Sequence, residues 1–330
     1  MAGDIAIRVV EADVRSYATD VLVLKHAQAL YGVDAAVVEA AGLDHADLPM
    51  PGQHRLIRSP RGIASRNVLF VGMPGLFDVQ YQELRELGRR ALSASATEVP
   101  DARQVTMTLH GPGFGLDEQE ALHSLLAGII DAVRAGSYPP ALTWVTFAEI
   151  SPRRAERMRS AIDDVLPEGV VEPGSPAEPV HVVSRLAARL ESVGRASMSK
   201  QHAFMAMPFD GTFDDHYDYA IVPALNGLGL LCERVDQMSF TGDVMQLVVQ
   251  RIRTASYVIA EVSQPNPNVY LEIGLAWGHG VPTVLLRGAN APPTPFDVRG
   301  QRLIEYNRIK DLETRLRSEL AALSLVDGDR

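Results

Sequence analysis

Short apolar runs separated by helix-patterned stretches restrict this chain more than any other feature. Residues 5–10, 20–24, 67–71, 105–109 and 142–147 read as strands. Between them, 33–41, 79–95, 118–135 and 152–165 carry apolar residues at helical spacing, with Leu84, Leu87, Gly88 and Ala91 on one face of the second. The pattern resumes with strands expected at 202–207, 230–235, 257–262, 283–286 and 302–306. Helices are expected at 213–227, 243–254, 268–280 and 309–323. Strands alternating with helices need a parallel sheet covered on both faces, so the fold class is α/β. Five βα units in the second series imply a doubly wound sheet of flavodoxin-like order, whose ligands bind outside the carboxyl ends of the strands. Residues 166–179 hold four prolines and two glycines, a linker composition. An amphipathic helix over about 180–193 follows and is a candidate for self-association into a homo-oligomer. The expected division is therefore a first domain over 1–166, a connecting stretch over 167–200 and a second domain over 201–330.

With 330 residues the chain is long enough for two such domains. The net charge of -10 disfavours a general nucleic-acid partner, while a small anion held by backbone amides needs no positive balance. The single cysteine, Cys232, follows Leu230-Leu231 and reads as a packed thiol in a reducing compartment. No stretch approaches the roughly 18 apolar residues of a membrane span, and the expected location is the cytoplasm. His26, His45, His54 and His279 show no metal-ligand spacing, and neither a Ser-His-Asp nucleophile motif nor a Walker-type loop is present. No metal and no cofactor is expected.

The expected carboxyl ends of the second series hold Asp210, Asp236, Glu261 and Asn266, and the next helix opens with Asn268 and carries Glu272. Glu272 is the lone carboxylate of an otherwise apolar helix, which is costly unless something uses it. Cleavage of an N-glycoside passes through an oxocarbenium-like state and needs a carboxylate beside the anomeric carbon. Glu272 fits that role, and Asp210 or Asp236 fits a second acid that protonates or orients the leaving base. Asn268 fits a helix cap and Asn266 a contact to a ribose hydroxyl. A structural alternative stands beside each: an acid near a helix start is steadied by the dipole, and acids at strand ends also cap turns.

The runs Phe204-Met205-Ala206-Met207-Pro208-Phe209-Asp210, Ile259-Ala260-Glu261, Asn266-Pro267-Asn268-Val269-Tyr270-Leu271-Glu272-Ile273-Gly274-Leu275-Ala276 and Pro295-Phe296-Asp297-Val298-Arg299-Gly300 stand in this order. Together they resemble the nucleoside 2-deoxyribosyltransferase superfamily, and within it the TIR-like nucleotide-binding branch, over about residues 202–306. The resemblance implies a flavodoxin-like fold and a catalytic glutamate at Glu272. It implies substrate contacts from Met207, Pro208, Phe209, Asp236, Glu261, Asn266, Asn268 and Arg299. It also implies action on nucleosides, nucleotides or NAD, in several relatives as antiviral defence. At the third strand the family often has Asp where this chain has Glu261.

In the first series, Glu11-Ala12-Asp13-Val14, Thr19-Asp20-Val21-Leu22-Val23-Leu24-Lys25-His26-Ala27-Gln28 and Tyr31-Gly32-Val33-Asp34 resemble the opening of a macro domain, a module related to the one that opens the leucine aminopeptidases. His110-Gly111-Pro112-Gly113-Phe114-Gly115 resembles that fold's phosphate loop. Glycines at this density let backbone amides approach an anion, and the following helix points its positive end the same way; a plain tight turn uses glycines too. The resemblance implies a three-layer α/β domain that binds ADP-ribose or another nucleotide through Asp13, Gly32, Val33, Gly111, Gly113, Phe114 and Gly115. The usual Asn-Ala-Ala-Asn run is replaced by Lys25-His26-Ala27-Gln28, so binding rather than catalysis is expected there; Asp34 reads as a helix-start cap. The readings that follow for the whole chain are an N-glycosidase acting on NAD or another nucleotide, a nucleotide-sensing protein without turnover, and a nucleoside deoxyribosyltransferase.

Overall fold

Val21 to Leu24 and Val68 to Val71 are buried without alternation, which marks strands covered on both faces. The computed structural model describes residues 5–166, 170–171, 190–235, 242–293 and 301–327. They divide into two units, Met1–Gly111 with Glu118–Met198, and Pro112–Asp117 with Ser199–Arg330. The first unit is a seven-stranded sheet of β1 (Ile5–Glu11), β2 (Val21–His26), β3 (His54–Arg58), β4 (Asn67–Gly72), β5 (Gln104–Met107), β6 (Trp144–Glu149) and β7 (Val170–Val171). Their order is β3-β4-β2-β5-β6-β1-β7. The five inner strands run parallel, and β3 and β7 pair antiparallel at the two edges. Helices α1 (Gly32–Ala41), α2 (Tyr81–Glu98), α3 (Glu118–Arg134) and α4 (Pro152–Val165) complete it.

Two glycines set the approach of α2 and α3. A Cβ on Gly88 would lie 2.2 Å from the Leu125 carbonyl oxygen, and one on Gly128 would lie 1.8 Å from that of Arg85. Arg85 spans the same region. Its Nε and Nη2 donate to the Asp131 carboxylate at 2.7 and 2.8 Å. Its Nη1 donates to the carbonyls of Leu190, Glu191 and Val193. A buried guanidinium needs this full set of partners, and the set ties residues 190–193 to the first unit. Most of the expected connecting helix over 180–193 lies outside the described residues.

The second unit has β8 (His202–Ala206), β9 (Leu231–Glu233), β10 (Tyr257–Glu261), β11 (Thr283–Gly288) and β12 (Leu303–Tyr306). The order is β12-β11-β10-β8-β9 and every pairing is parallel. This is the flavodoxin-like order expected from five βα units. The switch point, where successive connections change direction, falls between β8 and β10. One stretch read as a single helix over 213–227 is broken. It is α5 (Asp214–His216), a π-turn at Tyr217–Ile221 and α6 (Val222–Asn226). Pro223 has no N–H to donate back along the helix, which accounts for the widened turn before it. Helices α7 (Gly242–Thr254), α8 (Pro267–Gly278) and α9 (Ile309–Asp327) follow. Leu312, Leu316 and Leu320 of α9 join Ala220, Ala224 and Leu225 in a core that covers Met205, Ile259 and Leu286 of the sheet. Among the described residues no helix is long and apolar enough to cross a membrane.

The α2–α3 crossing yields a direct test. Gly128→Ala places a methyl group against backbone that cannot yield without separating the helices, so a loss of about 3 kcal/mol is expected. Chemical denaturation followed by circular dichroism measures it; a midpoint equal to that of the parent chain would contradict this packing.

Candidate active site

Helix α8 begins because Asn266 caps it. Its Oδ1 accepts from the amides of Asn268 at 2.9 Å and Val269 at 3.3 Å, and Pro267 occupies the first helical position, where no N–H is needed. The cap expected at Asn268 is therefore displaced by two residues. Asn268 instead donates its backbone N–H and stands one turn ahead of Glu272 on the same side of the helix.

Glu272 is 3% exposed, and no acidic residue occupies the first turn of α8. Dipole stabilisation fades beyond the first turn, so the helix end does little to offset the cost of burying this carboxyl. Burial pushes its pKa up from 4.5 to about 8, and no opposing influence is resolved. At neutral pH the group is mostly a neutral acid.

Glu261, at the end of β10, is fully buried and bound through both oxygens. Oε1 accepts the Ser263 amide at 2.8 Å and Oε2 accepts the Tyr306 hydroxyl at 2.9 Å. Burial raises its pKa and these two donors oppose the rise. Ser263 Oγ in turn accepts the Gly288 amide at 2.7 Å, so the ends of β10, β11 and β12 are laced together. The His216 ring lies 5.2 Å from that of Tyr306, and its buried Nδ1 has no hydrogen-bond partner. Desolvation lowers the His216 pKa, favouring the neutral ring. Ser263, Tyr306 and His216 were not read as site residues from the sequence. Ser263, two residues beyond Glu261, was the one local signal.

Asp210 has the opposite environment. It is exposed, its Oδ1 accepts the Thr212 amide at 3.0 Å, and that bond lowers its pKa. This suits a turn-capping anion better than an acid that donates to a leaving base. Met207 and Pro208 are buried at the carboxyl end of β8, while Phe209 is exposed. Arg234 places its guanidinium carbon 5.4 Å from the Phe209 ring centre and 4.6 Å from that of Tyr217, and its Nη1 donates to Met207 Sδ at 3.4 Å. Asp236 and Arg299 lie outside the described residues.

The first unit's expected ligand residues are separated from one another in role. Asp13 holds Arg15 through both carboxylate oxygens and accepts its amide at 2.9 Å. An acid so engaged is not poised for an adenine. Gly32 opens α1 with φ 56°, and Val33 packs on the cluster of Leu22, Leu24 and Val37. Asp34 caps nothing; its Oδ2 pairs with Lys25 Nζ at 2.5 Å inside the unit. Gly111, Gly113 and Gly115 all have the positive φ expected of a glycine-rich turn, at 105°, 84° and 82°. Pro112–Asp117, however, belongs to the second unit. There the Gly115 amide donates to the Arg234 carbonyl at 3.0 Å, and Gly113 and Phe114 bridge to Val235. That amide is spent on a backbone partner, so the stretch braces a strand end where an anion cradle was expected.

No family model matches the sequence, and no curated protein matches it. Among solved structures the chain is similar to a CMP N-glycosidase of Clostridium botulinum, at 20% identity over 35% of this chain and 98% of that one, with a TM-score of 0.31. It is similar to a macrodomain of Oceanobacillus iheyensis with MES bound, at 18% identity over 51% of this chain and 96% of the other, with a TM-score of 0.42. A macrodomain of Trypanosoma brucei in complex with ADP-ribose gives 18% identity, 48% and 69% coverage, and a TM-score of 0.39.

The burial of Glu272 predicts a pH signature in stability. Its pKa is raised on folding, so its contribution is complete below 4.5 and is lost as pH climbs through about 8. Relative to Glu272→Gln, which cannot ionise, the parent chain should lose roughly 4–5 kcal/mol across that window. Denaturant midpoints measured at intervals from pH 4.5 to 8.5 test this, and parallel curves for the two proteins would refute the assignment.

Proposed function

We propose that the second unit cleaves the N-glycosidic bond of a nucleotide, NAD included, with Glu272 beside the anomeric carbon. The supporting observation is a carboxyl group buried in an apolar helix one turn past its cap, with its pKa pushed to about 8 by burial. Such a group costs stability, and its helix starts just beyond the carboxyl end of β10, at the sheet edge where doubly wound folds hold their ligands.

In this reading the C1′–N bond breaks and its electron pair leaves on the base. Ionised Glu272 stabilises the positive charge that develops at C1′, or bonds to it. Water then adds its oxygen to C1′ and gives up a proton to the carboxylate or to solvent. A sugar nucleotide and a free base are released. The ionised form is required, so the rate on a neutral nucleoside or nucleotide should rise about tenfold per pH unit below 8 and level off above it.

In the first unit, nucleotide binding without chemistry is the role we assign to the neighbourhood of Gly32 and Val33. Unchecked cleavage of NAD would drain a cofactor pool, so control by assembly or by a signal nucleotide, as in a defence system, belongs to the same proposal. A second reading, a nucleotide binder without turnover, is favoured by Glu261: at the position where substrate contact is expected, both oxygens serve Ser263 and Tyr306. Chromatography of a nucleotide panel incubated with the full chain decides between the two. Base should be released by the parent and reduced at least a thousandfold in Glu272→Gln, with both proteins showing the same circular dichroism. Equal release from both, or none from either across the panel, would overturn the glycosidase.

A further inference from the structure

We propose that Arg234 reads a phosphate on the ligand, so that the second unit takes ribosides carrying a 5′-phosphate in preference to unphosphorylated ones. This rests on the reading of that unit as a nucleotide site. Arg234 follows β9 directly, at the carboxyl end of the sheet. It is held against residues from the ends of neighbouring elements: the Phe209 ring at 5.4 Å, the Tyr217 ring at 4.6 Å and Met207 Sδ at 3.4 Å from Nη1. The two rings engage the faces of the guanidinium, and the thioether is a weak acceptor. Stacking fixes the plane of the group, and its N–H fork lies in that plane, where it matches two oxygens of a phosphate.

The main chain of Arg234 is fixed as firmly as its side chain. Its carbonyl accepts the Gly115 amide at 3.0 Å, and the next residue, Val235, is bridged to Gly113 and Phe114. Two residues before it, the Cys232 amide donates to Asp117 Oδ2 at 2.9 Å. The glycine-rich stretch thus preorganises a cation instead of offering its own amides to an anion. Charge completes the case. The chain carries a net -10, and Asp210, Glu261 and Glu272 all follow strand ends of this sheet. A phosphorylated ligand approaching that edge meets repulsion unless a local cation offsets it.

Calorimetry with ribose 5-phosphate and with ribose, on the full chain, on Arg234→Gln and on Arg234→Lys, tests the assignment without requiring turnover. The parent should bind ribose 5-phosphate at least tenfold more tightly than ribose. Arg234→Gln should lose that margin while its ribose affinity stays the same. Arg234→Lys should recover part of it, because an ammonium supplies charge but not the planar fork. Equal affinities of the parent for the two sugars, or an undiminished margin in both variants, overturns the proposal. Failure of the glycosidase looks different: an Arg234-dependent margin with no base released from any nucleotide leaves the phosphate site standing. Base released equally from nucleosides and their 5′-phosphates by parent and variants removes the role of Arg234 and leaves the glycosidase.

Discussion

A parallel sheet delivers every strand's carboxyl end to the same edge, and the second unit depends on that constraint. Its five strands all run one way. The residues that follow them are therefore gathered without any loop having to travel: Met207–Asp210 after β8, Arg234 after β9, Glu261–Ser263 at the end of β10 and Tyr306 at that of β12. Polar groups collected in this way must each be solvated, paired or neutralised, because the sheet behind them is wholly apolar.

The three acids of that edge meet the requirement in three ways. Asp210 stays in solvent and takes one amide. Glu261 is buried and takes two donors, which offset its desolvation and turn it into a tie between strand ends. Glu272 is buried and its pKa is raised instead. Desolvation dominates only in the last case. A tie is a complete use of a carboxyl group, whereas a neutral acid held in an apolar helix stores a change of charge that a ligand can draw upon. Hence the functional reading rests on Glu272, and Glu261 is assigned to holding the edge together.

Much of this architecture is legible in the residues alone, and the exceptions have local causes. The apolar runs and helical spacings lead to the strand order of the second unit because short βα connections allow few alternatives. β3 is missed because His54–Arg58 carries two arginines and a histidine, polar residues suited to an exposed edge. β7 is two residues long and has no periodicity to read. The π-turn at Tyr217–Ile221 is hidden because its stretch keeps an apolar helical pattern through Pro223. Asn268 looks like the cap until Pro267 is recognised as the first helical residue. Most instructive is the turn at 111–115: its glycines foretell the positive φ angles, but the partner of its amide, Arg234, lies more than a hundred residues away. Conformation is a local property and can be read locally; the destination of a hydrogen bond cannot.

Titration of the Glu272 side-chain carboxyl by carbon-13 NMR, in the free protein and with a nucleotide added, tests the central claim most directly. The account predicts an inflection near pH 8 in the free protein and a displaced one when the nucleotide is bound, because the ligand lies against that carboxyl. An inflection at the ordinary carboxylate range, or one near pH 8 that no nucleotide moves, would contradict it.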